Sequence, residues 1–136
     1  MTNSMPQQKY RLKRGTALVI AGPQGCGKKR LAQAIASEYG RHQHIEIGPD
    51  WDFQLRAALT SSPSVLIVDG TPAHNELVDI KCMVTNPRTV VRLPYSNHTQ
   101  AYRSPLVIIT SQDVNWLHEG TRRFDLIDLS KAVDHV

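Results

Sequence analysis

The heptapeptide Gly22-Pro23-Gln24-Gly25-Cys26-Gly27-Lys28 constrains this chain more than any other segment, because of what flanks it. Before it, Thr16-Ala17-Leu18-Val19-Ile20-Ala21 is a short unbroken apolar run, the pattern of a strand covered on both faces. After it, Leu31, Ala32, Ile35 and Ala36 recur at helical spacing as far as Tyr39, and Gly40 stands where a helix C-terminus favours glycine. Strand, glycine loop and helix follow in that order. A polyphosphate requires several main-chain N–H groups converging on one concavity, which Gly22, Gly25 and Gly27 permit, and the following helix adds its dipole. Pro23, Gln24 and Cys26 complete the loop. Lys28 finishes a G-x-x-x-x-G-K pattern and supplies a point charge for β- and γ-phosphates.

The next residue departs from the pattern. Lys29 stands where a Ser or Thr hydroxyl would ligate Mg²⁺, and an ammonium cannot ligate a cation. Three outcomes stay open at this level: Mg²⁺ held only by an acid and water, lysine charge in place of the metal, or loss of nucleotide binding. Each argues against rapid hydrolysis.

The rest of the chain repeats the alternation of apolar strands with amphipathic helices. A short strand is expected near 44–47, then a helix from Asp52 with Phe53, Leu55, Ala58 and Leu59 as its apolar positions. Residues 65–70 read as a second buried strand and 76–83 as a helix ended by Pro87. The stretch from 89 to 102 alternates as a hairpin around Ser96-Asn97-His98. Leu106-Val107-Ile108-Ile109-Thr110-Ser111 is a third buried strand, and 124–129 a weaker last one. This order indicates an α/β fold with a mostly parallel sheet covered on both faces.

At 136 residues the chain has the size of one domain, taken as residues 15–136. Residues 1–14, with Lys9, Arg11, Lys13 and Arg14, read as a basic N-terminal arm. No run reaches the ~20 apolar residues of a membrane helix and the start lacks a signal-peptide core, so a cytoplasmic location and no membrane partner are expected. Cys26 and Cys82 form no C-x-x-C pair and are expected as free thiols. The net charge of +4 is weak support for an anionic partner.

Asp69 ends the second buried strand, where a carboxylate can hold a Mg²⁺-bound water across from the loop. Gly70 follows, where many ATPases carry a second, water-activating acid; Glu76 and Asp79 have no strong claim to that role. Thr110 and Ser111 end the third strand, and ligands bind beyond the carboxyl ends of such strands, so their hydroxyls are candidates for the γ-phosphate or the attacking water. Arg122 or Arg123 can serve as an arginine finger on a neighbouring subunit's nucleotide. His42 and His44 do not make a metal site.

Taken together, the glycine loop, Val65-Leu66-Ile67-Val68-Asp69, Pro105-Leu106-Val107-Ile108-Ile109-Thr110-Ser111-Gln112 and Arg122-Arg123-Phe124 resemble the ordered motifs of superfamily 3 helicases. These are AAA+-related ATPases of the replication proteins of small DNA viruses and some mobile elements. The resemblance runs over about residues 16–129. It implies a P-loop three-layer sandwich with a mostly parallel five-stranded sheet in AAA+-like order and no C-terminal lid domain. It also implies ATP as cofactor, Mg²⁺ if Asp69 holds it, assembly into a homo-oligomeric ring, and single-stranded DNA as partner. In that family a hairpin before the Ile-Thr-Ser strand grips DNA in the ring channel; the matching segment here, 88–103, offers Arg88, Arg92, His98, Tyr102 and Arg103. The departures are Lys29 for Ser/Thr, Gly70 for an acid and Gln112 for Asn, and the 136 residues hold neither an origin-nicking domain nor the usual helical oligomerisation segment. A reduced member of the family is the expectation.

Two functions follow. One is an ATP-binding, superfamily-3-like domain acting on DNA with weak or absent hydrolysis, Lys28 holding phosphate and Thr110 sensing its γ-group. The other is a pseudo-ATPase that uses the fold to bind or inhibit a partner, such as a related replication ATPase. A small-molecule kinase is a third class, but no lid or acceptor site is evident.

Overall fold

A computed structural model describes residues 11–92, 97–117 and 123–129. Its strands are β1 (Ala17–Ala21), β2 (His42–Glu46), β3 (Val65–Asp69), β4 (Arg88–Arg92), β5 (Thr99–Arg103), β6 (Leu106–Ser111) and β7 (Phe124–Asp128). Its helices are α1 (Lys28–Ser37), α2 (Trp51–Thr60) and α3 (His74–Thr85). Five strands form one parallel sheet in the order β2-β3-β6-β1-β7, and β4 and β5 pair antiparallel as a separate ribbon.

The continuous apolar runs of β1, β3 and β6 are explained by two cores, one on each face of the sheet. Side chains alternate along a strand, so Leu18, Ile20, Val65, Ile67 and Ile108 face α1, where they meet Ala32, Ile35 and Ala36. Ala17, Val19, Leu66, Val68, Val107 and Ile109 point the other way, onto Leu55, Leu59, Ile80 and Met83 of α2 and α3. A fully buried Ile or Leu contributes ~1.5–3 kcal/mol, so this two-faced burial is the main source of stability. Leu12 joins the α1 core, and its N–H donates to Tyr39 Oη at 2.8 Å.

One apolar position expected in α2 is placed differently. Phe53 is 66% exposed, and Trp51, at 4%, takes the buried stripe with Leu55, Ala58 and Leu59. The spacing of 51, 55, 58 and 59 fits one helical face, which residue 53 cannot share. The Trp51 indole N–H donates to Asp79 Oδ2 at 2.8 Å, tying α2 to α3. Glu76 accepts the Ala73 N–H at 2.8 Å and so caps α3. Both acids therefore have structural work away from any phosphate.

Parallel pairing sets the strand ends in phase. Ala21 pairs with Ser111 and Asp69 with Thr110, which brings the carboxyl ends of β1, β3 and β6 to one edge. The ribbon is tied to the opposite edge, since β5 ends at Arg103 and β6 begins at Leu106. Its base is fixed by the Ser104 N–H to Pro87 oxygen bond at 2.9 Å and by the hydroxyls of Thr89 and Ser104, 2.6 Å apart. Among the described residues no helix is long and apolar enough to cross a membrane.

Candidate functional site

At the carboxyl edge of the sheet lies an open cleft of about 910 Å³, toward the upper end of the roughly 300–1,000 Å³ usual for small-molecule sites. The loop and first turn from Gln24 to Arg30 form one wall, and Asp69, Thr71, Thr110 and Asp113 stand on the other.

The loop is shaped by its own backbone. Gly22 N–H donates to Ser111 oxygen at 3.1 Å, Cys26 N–H to Pro23 oxygen at 3.3 Å, and Gly27 adopts φ 93°, a left-handed conformation that strains any side chain. The Lys28 ammonium donates to the oxygens of Gly22 at 3.0 Å and Pro23 at 3.2 Å. Gly22 and Pro23 thus build the loop and hold Lys28, while the donors facing the cleft come from further along. The N–H groups of Gly25 and Gly27 make no hydrogen bond among the described residues. Those of Lys28, Lys29 and Arg30 have no acceptor within the helix, whose first backbone bond at this end runs from Leu31 N–H to Gly27 oxygen at 3.0 Å.

The charge pattern here runs against helix electrostatics. The first turn of α1 holds no acid and begins Lys28-Lys29-Arg30, three cations at the positive end of a helix dipole, without a side-chain cap. Each such cation is disfavoured by ~0.3–1 kcal/mol when no anion is near. A bound anion would reverse the sign of that energy.

On the opposite wall, Asp69 Oδ1 accepts the Thr110 hydroxyl at 2.7 Å, and Oδ2 lies 3.3 Å from the Lys29 ammonium. Thr110 is fully buried and serves to orient Asp69. Ser111, one residue on, points to the other face. Its hydroxyl donates to Asp113 oxygen at 2.8 Å, accepts the Trp116 indole N–H at 3.1 Å and lies 3.2 Å from the Thr71 hydroxyl. Ser111 is thus a fastener of the loops around the cleft. Thr71 and Asp113 were not singled out from sequence; their only signal was position just after a buried strand.

Gly70 has φ 122°, and a Cβ there would meet Ile47 Cβ at 3.0 Å. A side chain at the position of the missing second acid would therefore carry backbone strain and press on Ile47. Both Asp69 oxygens thus have partners, in Thr110 and Lys29, and Lys29 stands where a hydroxyl would be expected to ligate Mg²⁺.

The remaining sequence candidates lie elsewhere. Arg123 precedes β7 at the amino edge, where its oxygen accepts Ala17 N–H at 2.7 Å; a five-residue strand of roughly 16 Å separates it from the cleft. Arg122 lies outside the described residues. Arg88 and Arg103 are exposed and directly opposite each other at the base of the ribbon, Arg92 pairs with Thr99, and His98 begins the return strand's approach. Tyr102 packs against the core with Val91, so it is half-buried rather than presented for stacking. Cys26 and Cys82 are free thiols.

Against known proteins, the chain is similar in structure to the apo C-terminal region of NrS-1, with a TM-score of 0.64 and 18% identity over 90% of this chain. The likeness is one of fold. A second apo structure of that region, also of the A form and covering residues 305–718, gives a TM-score of 0.58 at 18% identity over 84% of this chain. This chain spans 31% and 28% of those two neighbours' lengths. No protein-family model and no curated protein matches it.

Proposed function

We propose that the chain is an ATP-binding domain of the superfamily-3-helicase-like AAA+ type, acting in DNA replication of a virus or mobile element, and that it binds nucleotide without efficient turnover. The observation that carries this reading is the cleft itself: unpaired main-chain N–H groups and three cations at a helix N-terminus line it on one side and Asp69 on the other, at the carboxyl edge of a parallel sheet. A polyphosphate supplies the anion this wall lacks. The insertion of β6 between the loop-bearing β1 and the Asp69-bearing β3 supports an AAA+-like order and the P-loop sandwich.

Slow chemistry follows from the same residues. Gly70 offers no acid to activate water and its φ and tight contact with Ile47 disfavour one, Asp69 has partners on both oxygens, and Glu76 and Asp79 are committed to α3 and Trp51. Lys28 and the loop N–H groups would hold the β- and γ-phosphates, with Thr110 keeping Asp69 oriented. Arg123, at the amino edge, would reach a nucleotide only in a neighbouring subunit, which requires a ring; Arg122 is the sequence's other candidate for that role. The ribbon, with Arg88 and Arg103 on its exposed face, is the proposed contact with single-stranded DNA.

Gly70 and the Lys29–Asp69 pair also favour a second reading, a pseudo-ATPase module that binds a partner replication ATPase. Titrating labelled ATP into the protein, with unlabelled ATP as competitor, separates the two. Saturable, competed binding with little phosphate release supports the first reading; absence of binding leaves the interaction module.

A further inference from the structure

We infer that this cleft takes its polyphosphate without a divalent cation, with the ammonium of Lys29 standing where the metal would be; the inference rests on the nucleotide reading above. Lys29 lies one residue beyond Lys28, on the first turn of α1, and its Nζ is 3.3 Å from Asp69 Oδ2. A metal bridging nucleotide and strand edge would need the same space between the helix start and Asp69. A cation fixed to the chain already fills it.

The donor chemistry agrees. Asp69 has one oxygen on the Thr110 hydroxyl and the other beside Lys29, so a hydrated Mg²⁺ would have to share this single carboxylate with an ammonium whose charge repels it. Asp113, the other acid on the cleft, accepts the Asn115 N–H at 3.2 Å through Oδ1. Mg²⁺ on the nucleotide would also cancel charge that Lys28, Lys29 and Arg30 are arranged to meet. The species recognised is thus the metal-free triphosphate, and free inorganic triphosphate shares its chemistry.

This reverses the expected role of the aspartate. In a metal-dependent site Asp69 would strengthen nucleotide binding; here it competes with the phosphates for Lys29. Replacing it with asparagine keeps the shape and an acceptor for Thr110 but frees the ammonium.

The test is titration of ATP, and separately of inorganic triphosphate, into the whole protein in EDTA and in excess Mg²⁺, for the parent, Lys29→Ala and Asp69→Asn. The expected result is binding in EDTA at least as tight as in Mg²⁺, a loss of about tenfold in Lys29→Ala under both conditions, and unchanged or tighter binding in Asp69→Asn. Binding about tenfold or more tighter in Mg²⁺, or weakened specifically in Mg²⁺ by Asp69→Asn, overturns the inference while leaving the nucleotide reading intact. Absence of binding by the folded parent in either condition overturns the nucleotide reading and this inference with it. Lys29 is largely exposed, so circular dichroism of Lys29→Ala should match the parent and binding changes there report the site.

Discussion

The Lys29 ammonium lies 3.3 Å from the Asp69 carboxylate, joining the first turn of α1 to the end of β3 across the mouth of the cleft. As a stabilising contact this pair counts for little, because the lysine side chain is 55% exposed and such pairs give about 0–1 kcal/mol. Its importance is positional: it puts a fixed positive charge beside the glycine loop. Lys29→Ala should therefore leave urea-induced unfolding within about 1 kcal/mol of the parent. A larger loss would mean that the lysine is structural, and equilibrium denaturation followed by circular dichroism decides it.

Restoring a catalytic acid at position 70 should fail for steric reasons. Gly70→Glu must adopt φ near 122° and seat a Cβ 3.0 Å from Ile47 Cβ, so a loss of about 1–3 kcal/mol is expected, with no gain in ATP turnover. Adding Ile47→Ala should remove the 3.2 Å contact with Ile47 Cγ1 but neither the 3.0 Å contact with its Cβ nor the backbone strain. A Gly70→Glu protein as stable as the parent, with phosphate release raised severalfold, would contradict this.

The Trp51–Asp79 bond makes a prediction independent of any ligand. Asp79→Ala strands a buried indole N–H and should cost about 1–3 kcal/mol, whereas Asp79→Asn keeps an acceptor and should cost less. Urea titration monitored by tryptophan fluorescence reads both. Equal effects of the two substitutions would show that the hydrogen bond is not what holds α2 to α3.

These residues also mark how far sequence reaches. β1, β3 and β6 were legible because burial on both faces writes an uninterrupted apolar run. β2, His42–Glu46, buries only Ile45, so its composition sets its start poorly. In α2 apolarity alone named Phe53, while the buried face was decided by where the helix sits over the sheet, which selects Trp51. The glycine loop, Asp69 and Thr110 could be named singly from their places at strand ends. That Lys29 meets Asp69 could not, because they stand 40 positions apart and only the β1–β6–β3 pairing brings them together. Nor could the crowding of position 70, which depends on Ile47 arriving from the neighbouring strand's end.

The ribbon's arginines bear on the DNA proposal. If single-stranded DNA binds there, replacing Arg88 and Arg103 with glutamine should lower the slope of log K against log salt by about 1.4, at ~0.7 per phosphate contact on a single strand. Fluorescence anisotropy of a labelled oligonucleotide over a salt series measures it. An unchanged slope would contradict a DNA contact on the ribbon's exposed face.

If the cleft between the glycine loop and Asp69 holds a polyphosphate, binding should depend on Lys28, whose ammonium is held over the loop by the oxygens of Gly22 and Pro23. Calorimetric titration of ATP into the parent and Lys28→Ala proteins should give saturable heat for the parent and a loss of about tenfold or more in affinity for the variant. Equal binding by the two proteins would place the nucleotide elsewhere and contradict the account.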